Sequence, residues 1–292
     1  MPYVTEANLT EIALERWSNI PDERLRQVMA AAVKHLHAFV REVEPTKDEW
    51  FAAVDWLTRI GQKSDEKRQE MILASDVLGV SMLVDAINNR RPSGATPSTV
   101  EGPFHVPDSP QVENGRNVTE GAPGTPCIVT GRVLGLDGKP IAGAAIDLWQ
   151  TDGEGLYESQ RGVDNPYMRG VYHSQTDGSF IVRTVVPIGY TIPMDGPVGE
   201  LMSRTNISHF RPAHIHFAIN APGYHSLVTH LFVAGDEYIE TDVVYGVKKE
   251  LIVDFEQKPP GTAINGETIK EPYYEVHYDF VLEKQAAAKA AA

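Results

Sequence analysis

The sequence predicts a mixed, mainly β protein: an antiparallel β-sandwich preceded by helices. Three observations carry this. Residues 1–100 repeat apolar side chains at three-four spacing, residues beyond about 126 alternate and break at tight turns, and the stretch between is rich in proline and glycine. Many short strands without intervening helices pack as a sandwich or barrel, not as α/β layers. The expected division is a helical domain at 1–100, a sandwich domain at 101–283 and an alanine-rich tail at 284–292.

In the helical part, Pro21 at a first-turn position, with Asp22 and Glu23, opens a helix. Leu25, Val28, Met29, Ala32, Val33, Leu36, Phe39 and Val40 then form one stripe, and Pro45 stops it. Thr46 and Glu49 make a capping box for a second helix carrying Trp50, Ala53, Val54 and Leu57, which Gly61 ends. A third starts near Ser64 and runs, with a break at Gly79, towards Asn88. His35 and His37 are two apart on a helix, so they diverge by about 200° and form no ligand pair. Arg91 to Pro126 is a long irregular connection, in which Val100–Phe104 is the candidate pocket wall.

Strands follow at Cys127–Leu134, Ala144–Trp149, Phe180–Val182, His214–Ile219, Ser226–Val233 and Tyr274–Leu282, with turns at Asp137-Gly138 and Asp177-Gly178. Val243–Glu256 reads as a short helix among them. The formal net charge of −14 repels phosphate backbones and argues against nucleic acid as a partner. The one cysteine, Cys127, lies in a strand-like run and reads as a core residue, so no internal disulfide forms. The start of the chain shows no basic and apolar leader, and no window approaches 18 apolar residues. A cytoplasmic location is the expectation.

The chemistry centres on Arg211-Pro212-Ala213-His214-Ile215-His216-Phe217. In a strand, His214 and His216 point to one face and reach one point in space, while Ile215 faces the core. Two histidines are too few for a metal site. Tyr157 and Tyr190 each close a strand-end segment, where a tyrosine either packs and hydrogen-bonds or supplies a ligand. Arg211 is either a salt-bridge residue or a charge stabiliser. From the residues alone, zinc, Fe(II) and simple packing all stand, as does a metal-free sandwich that binds a ligand or sugar. A cupin-like site would place a glutamate soon after the histidine pair, and Phe217–Asn220 offers none.

Four blocks carry a resemblance: Gly143–Gln150, Gly155-Leu156-Tyr157, Val186–Tyr190 and Arg211–Phe217. In order and spacing they resemble the intradiol ring-cleavage dioxygenases, and the similarity extends over most of residues 10 to 283. The helical first third is similar to the catechol and hydroxyquinol branch. The resemblance implies a mononuclear Fe(III) site, one per subunit, with ligands Tyr157, Tyr190, His214 and His216 plus a hydroxide. A trivalent ion drives the proton off a phenol whose pKa is ordinarily about 10, and hard phenolate oxygens favour the ferric state.

The family's reaction joins O2 to an aromatic diol bound as a dianion. The diol displaces the hydroxide and Tyr190, and both serve as bases. Arg211 matches the residue that stabilises charge developing on the ring. By alignment with the family, the pocket positions are Met82, Asp85, Val100, Gly102, Pro103, Phe104, Val243 and Val244, beside Arg211. Asp85 would accept a hydrogen bond from a third ring hydroxyl, and His230 stands where catechol enzymes typically carry glutamine. Both favour hydroxyquinol (1,2,4-trihydroxybenzene), cleaved to 3-hydroxy-cis,cis-muconate, over catechol or a substituted catechol. Relatives in this branch are homodimers through their N-terminal helices, and some hold a phospholipid between them.

Overall fold

Two of the helices begin where the sequence supplies a side-chain cap. The computed structural model describes residues 3–65, 68–119, 121–163 and 165–286. The chain divides into two compact units, residues 1–58 and 59–292.

In the first unit lie α1 (Leu9–Trp17), α2 (Glu23–Val43) and most of α3 (Lys47–Lys63). Asp22, and not Pro21, starts α2: its carboxylate accepts the Leu25 N–H at 2.5 Å. Glu44 ends α2 in the left-handed region, just before Pro45. The capping box forms as expected. The Thr46 N–H donates to Glu49 Oε2 at 2.7 Å and the Glu49 N–H donates to Thr46 Oγ1 at 3.2 Å. Arg41 ties α2 to α1 through Thr10 and the Glu6 carbonyl. Gly61 does not end α3, which continues to Lys63. A glycine in open space costs a helix only about 1 kcal/mol, too little to stop it.

The second unit opens with α4 (Glu70–Val77) and α5 (Val80–Asn88), separated at Gly79 as the sequence implies. Then follow β1 (Pro126–Gly135), β2 (Ala145–Trp149), α6 (Glu158–Arg161), β3 (Arg169–His173), β4 (Ser179–Val185), β5 (Tyr190–Thr191) and α7 (Pro197–Met202). The chain continues through β6 (Phe210–Arg211), β7 (His214–Asn220), β8 (Leu227–Val233), β9 (Ile252–Val253), β10 (Glu256–Lys258), β11 (Gly261–Thr262) and β12 (Thr268–Ile269). It closes with β13 (Tyr273–His277) and β14 (Phe280–Leu282).

Two sheets form the sandwich. One runs β10-β13-β1-β14, with β4 also on β1; the other runs β3-β2-β7-β8-β9. Alternate residues of both fill a common core: Cys127, Val129 and Val133 of β1, Ile146 and Leu148 of β2, Ile215, Phe217 and Ile219 of β7, and Phe280 of β14. The sheets are not wholly antiparallel. β1 takes β13 and β14 in parallel, and β8 takes β9 in parallel, because the chain returns to these edges through long connections and not hairpins. Nor does Val243–Glu256 form the expected helix. Asp242 draws the Val244 and Gly246 N–H groups back into a tight turn, and only a 3-10 turn at Lys249–Leu251 precedes β9. Among the described residues, no helix is long and apolar enough to cross a membrane.

Candidate metal centre

The period of two in β7 decides where the chemistry sits. Ile215, Phe217 and Ile219 occupy the core, so His214 and His216 emerge on the other face of the sheet. The same alternation puts Trp149 of β2 and His230 of β8 on that face. Register sets the three in a row: Trp149 pairs with His216, and His216 with His230. Trp149 stacks on His216 with ring centres 4.7 Å apart, and His230 lies 4.1 Å from His216 on the other side.

The tyrosines reach this face from loops. Tyr157 follows a turn organised by Asp152, whose carboxylate accepts the Glu154 and Leu156 N–H groups, Arg161 Nε and the Tyr167 hydroxyl. Gly155 in that turn has φ +81° and lies 3.3 Å from the Tyr190 side chain when a Cβ is placed on it, so a larger residue is excluded twice over. Tyr190 opens β5 and pairs with Arg211 of β6, three residues before His214.

Four donor atoms converge. Tyr157 Oη lies 3.0 Å from Tyr190 Oη, 3.0 Å from His216 Nε2 and 3.5 Å from His214 Nε2; the two Nε2 atoms are 3.1 Å apart. Bonds of about 2 Å to one cation would place neighbouring donors about 2.8–3.5 Å apart, so the set fits a single metal ion. The tautomer fits too. His214 Nδ1–H donates to the Pro212 carbonyl at 2.6 Å, which leaves a lone pair on Nε2 facing the cluster. His230 joins the two histidines in a group within 4.8 Å. Its Nδ1 bonds the Thr99 hydroxyl and its buried Nε2 has no hydrogen-bond partner; what sets it apart from the four donors is that no bond to either phenol is found among the described residues.

All four side chains are buried, and burial dominates their electrostatics. It pushes the Tyr157 and Tyr190 phenols upward and the His214 and His216 imidazoles well below their ordinary range. The Arg211 charge favours the phenolate of both, but Tyr190 is also helped by hydrogen bonds from Tyr157 and Arg211, whereas the neighbouring Tyr190 pushes Tyr157 further up. Arg211 is itself buried, which opposes its charge, but Asp242, Tyr190 and Tyr157 together offset this and the guanidinium stays protonated. Asp242 grips it at two points, Oδ1 to Nε at 3.1 Å and Oδ2 to Nη2 at 3.4 Å, while Nη1–H donates to His214 Nε2 at 3.2 Å. Asp242→Ala leaves a buried charge without its partner. It is expected to lower the unfolding free energy by about 3–5 kcal/mol, measured by denaturant titration.

A cavity opens on the cluster, lined by Leu73, Asp76, Gly102, Pro103, Phe104, Tyr190, Ile192, Pro193, Arg211, His216 and Val244. It therefore brings together the expected Gly102, Pro103, Phe104, Arg211 and Val244. Phe104 stacks on Tyr157 at 4.4 Å. Gly102, at φ +79°, would bring a Cβ to 3.5 Å from His216 Cε1. Met82, Val100, Val243 and His230 are buried nearby but not in this lining. Asp85 lines an adjoining cavity with Asp76, Val100 and Gly102. Its carboxylate is taken by Ser98 at 2.9 Å, Asn89 at 2.7 Å and Lys248 at 3.5 Å.

The carboxylate in the cavity wall is Asp76, to which the sequence alone assigns no role. It is 2% exposed, and its Oδ1 has no hydrogen-bond partner. Burial pushes its pKa up, against the Ser81 hydroxyl and the Arg211 charge. Leu73, Ile192 and Pro193 were missed as well. Leu73 and Asp76 stand three apart on α4 and so share one face. That spacing was the available signal.

Known proteins resemble this chain along most of its length. Residues 100–284 match the family described as Dioxygenase, and residues 22–96 match Catechol dioxygenase N terminus. The chain is 48% identical to a 6-chlorohydroxyquinol 1,2-dioxygenase of Cupriavidus pinatubonensis, over 94% of this chain and 96% of that protein. It is 46% identical to a hydroxyquinol 1,2-dioxygenase of a Rhizobium species, over 87% of each chain. The crystal structure of hydroxyquinol 1,2-dioxygenase from Pseudomonas putida DLL-E4 superposes with a TM-score of 0.88 at 46% identity, covering 96% of this chain and 99% of that one. The chain belongs to the intradiol ring-cleavage dioxygenases, and it is an enzyme of that family.

Proposed function

We propose that Tyr157, Tyr190, His214 and His216 hold one Fe(III), and that the enzyme cleaves hydroxyquinol with O2 to 3-hydroxy-cis,cis-muconate, the enol form of maleylacetate. The donor set supports iron in the ferric state: two phenolates are hard, anionic oxygens, and two neutral imidazoles complete the site. When bound, the ferric ion supplies the Lewis acidity that ionises both phenols and draws electron density from a coordinated diol.

The chain's residues do the rest. Tyr190, whose phenolate Arg211 favours, takes a proton from the incoming diol. Arg211, held rigid by Asp242, faces the charge that develops on the ring. Leu73, Pro103, Phe104, Ile192, Pro193 and Val244 exclude water and fix the ring plane.

The observation that carries the substrate is Asp76, a buried carboxylate with an unbonded oxygen in the cavity wall beside Leu73, Ile192 and Val244. A third ring hydroxyl would satisfy it, and a ring lacking that hydroxyl would leave it unpaired. Steady-state kinetics on iron-loaded enzyme test this: kcat/KM for hydroxyquinol should exceed that for catechol by about 100-fold or more. A higher value for catechol would overturn the assignment.

The same reading includes a homodimer through the N-terminal helices, with room for a phospholipid between them. Its support is the large apolar surface that α2 and α3 expose, including Leu36, Phe39, Val40, Trp50 and Phe51. Sedimentation should give twice the 32.2 kDa chain mass, and a Leu36→Glu/Phe39→Glu variant should sediment as a monomer. A wild-type monomer at micromolar concentration would refute the dimer.

A further inference from the structure

Phe104 ends the pocket wall, and the next residue, His105, has no part in the chemistry so far. Its Nδ1 lies 2.9 Å from Glu101 Oε1 and its Nε2 lies 3.1 Å from Asp147 Oδ2. Ionised carboxylates only accept, so both ring nitrogens donate and the ring is an imidazolium. The bonds to Asp147 and Glu101 push its pKa up to about 9, although burial opposes this. The titratable groups facing it are Glu101 on its own loop, Asp147 on β2 and His216 of β7 beyond Trp149.

Asp147 and Trp149 are alternate residues of β2 and share its outer face. His105 contacts both: its ring meets Trp149 edge-on at 4.5 Å, and Trp149 in turn stacks on His216. The wall between is thus pinned at each end. On one side the Thr99 N–H donates to the Val228 carbonyl of β8 at 2.8 Å; on the other, His105 bonds β2. Gly102, Pro103 and Phe104 hang between these two anchors.

We propose that His105 is a positioning residue of the active site: bonded at both ring nitrogens, it ties the Val100–Phe104 wall to β2 and backs Trp149 against His216. It touches neither the metal ligands nor the substrate cavity. Its effect passes through Phe104, which covers Tyr157, and through Trp149, which fixes the plane of His216. The inference rests on the reading that this cavity binds the aromatic substrate.

The test uses iron-loaded wild type, His105→Gln, Asp147→Asn and the double variant, with whichever of hydroxyquinol and catechol the wild type prefers. Each single change should raise KM about tenfold while kcat changes less than about threefold, and the double should be no worse than the worse single. Thermal melting gives a second readout. A histidine whose folded pKa is raised stabilises fully below about pH 6.5 and loses that contribution as pH rises through about 9. The wild-type advantage in Tm over His105→Gln should therefore be widest near pH 6 and close by about pH 10. An unchanged KM, KM increases that multiply in the double variant, or a Tm gap equal at both pH values would overturn the proposal. A wild-type preference for catechol would instead refute only the substrate assignment, because the variant ratios are taken on the preferred diol.

Discussion

Replacing Tyr157 by phenylalanine is expected to reduce turnover below about a thousandth of wild type, about 4 kcal/mol of barrier, and to bleach most of the visible band of the iron-loaded protein. The reason lies in where the hydroxyl sits. Tyr157 Oη lies within 3.5 Å of each of the three other donors, at 3.0, 3.0 and 3.5 Å, so its loss opens the cluster on all three sides. The ring itself is stacked under Phe104, a contact that phenylalanine keeps. Among the described residues the hydroxyl's partners are the other donors, so its removal changes the packed volume little. The variant should therefore fold and melt within a few degrees of the wild-type protein compared without iron. A Tyr157→Phe enzyme with near-normal turnover and colour would remove Tyr157 from the metal site.

Asp76→Leu is the second large effect. It should lower kcat/KM for hydroxyquinol about 100-fold while leaving catechol unchanged or improved, because the loss of the carboxylate matters only to the ring that carries a third hydroxyl. Asp76→Asn keeps an acceptor oxygen and should fall between. Asp85→Ala makes the control. It loses the bonds to Ser98, Asn89 and Lys248, so it should cost stability and affect both substrates alike. Steady-state kinetics on both diols separate these outcomes. Equal losses for hydroxyquinol and catechol in Asp76→Leu would make that carboxylate structural.

These two residues mark how far the sequence could be read. His214 and His216 were legible because strand alternation is strict: once Ile215 and Phe217 are core, the histidines must share the other face. Arg211, Tyr157 and Tyr190 had a role only through the resemblance, since nothing in a flanking arginine tells catalysis from a salt bridge and nothing in a strand-end tyrosine tells ligand from packing. For Asp76 the spacing from Leu73 was a weak signal. α4 buries Glu70, Leu73, Ala74, Asp76 and Val77 at once, so it has no polar face against which a buried carboxylate would stand out. Asp85, on an α5 with an evident exposed side, drew attention instead.

The fold divides in the same way. Local signals such as the Thr46–Glu49 capping box and the glycine at 79 placed their elements well. What failed was non-local. The parallel return of β13 and β14 to β1 depends on partners about 150 residues away, which no local pattern encodes. At Val243–Glu256, Asp242 serves Arg211 and two backbone N–H groups together, and that shared duty folds the segment into a turn where its spacing read as a helix.

The most direct test is the visible absorption spectrum of the wild-type protein loaded with one equivalent of iron per chain. Two phenolates on a ferric ion should give a broad charge-transfer band and a wine-red solution, and anaerobic hydroxyquinol should shift that band as Tyr190 gives way to the diol. A fully iron-loaded protein that is colourless, or one whose spectrum ignores the triol, would contradict the assignment of Tyr157, Tyr190, His214 and His216 as its metal centre.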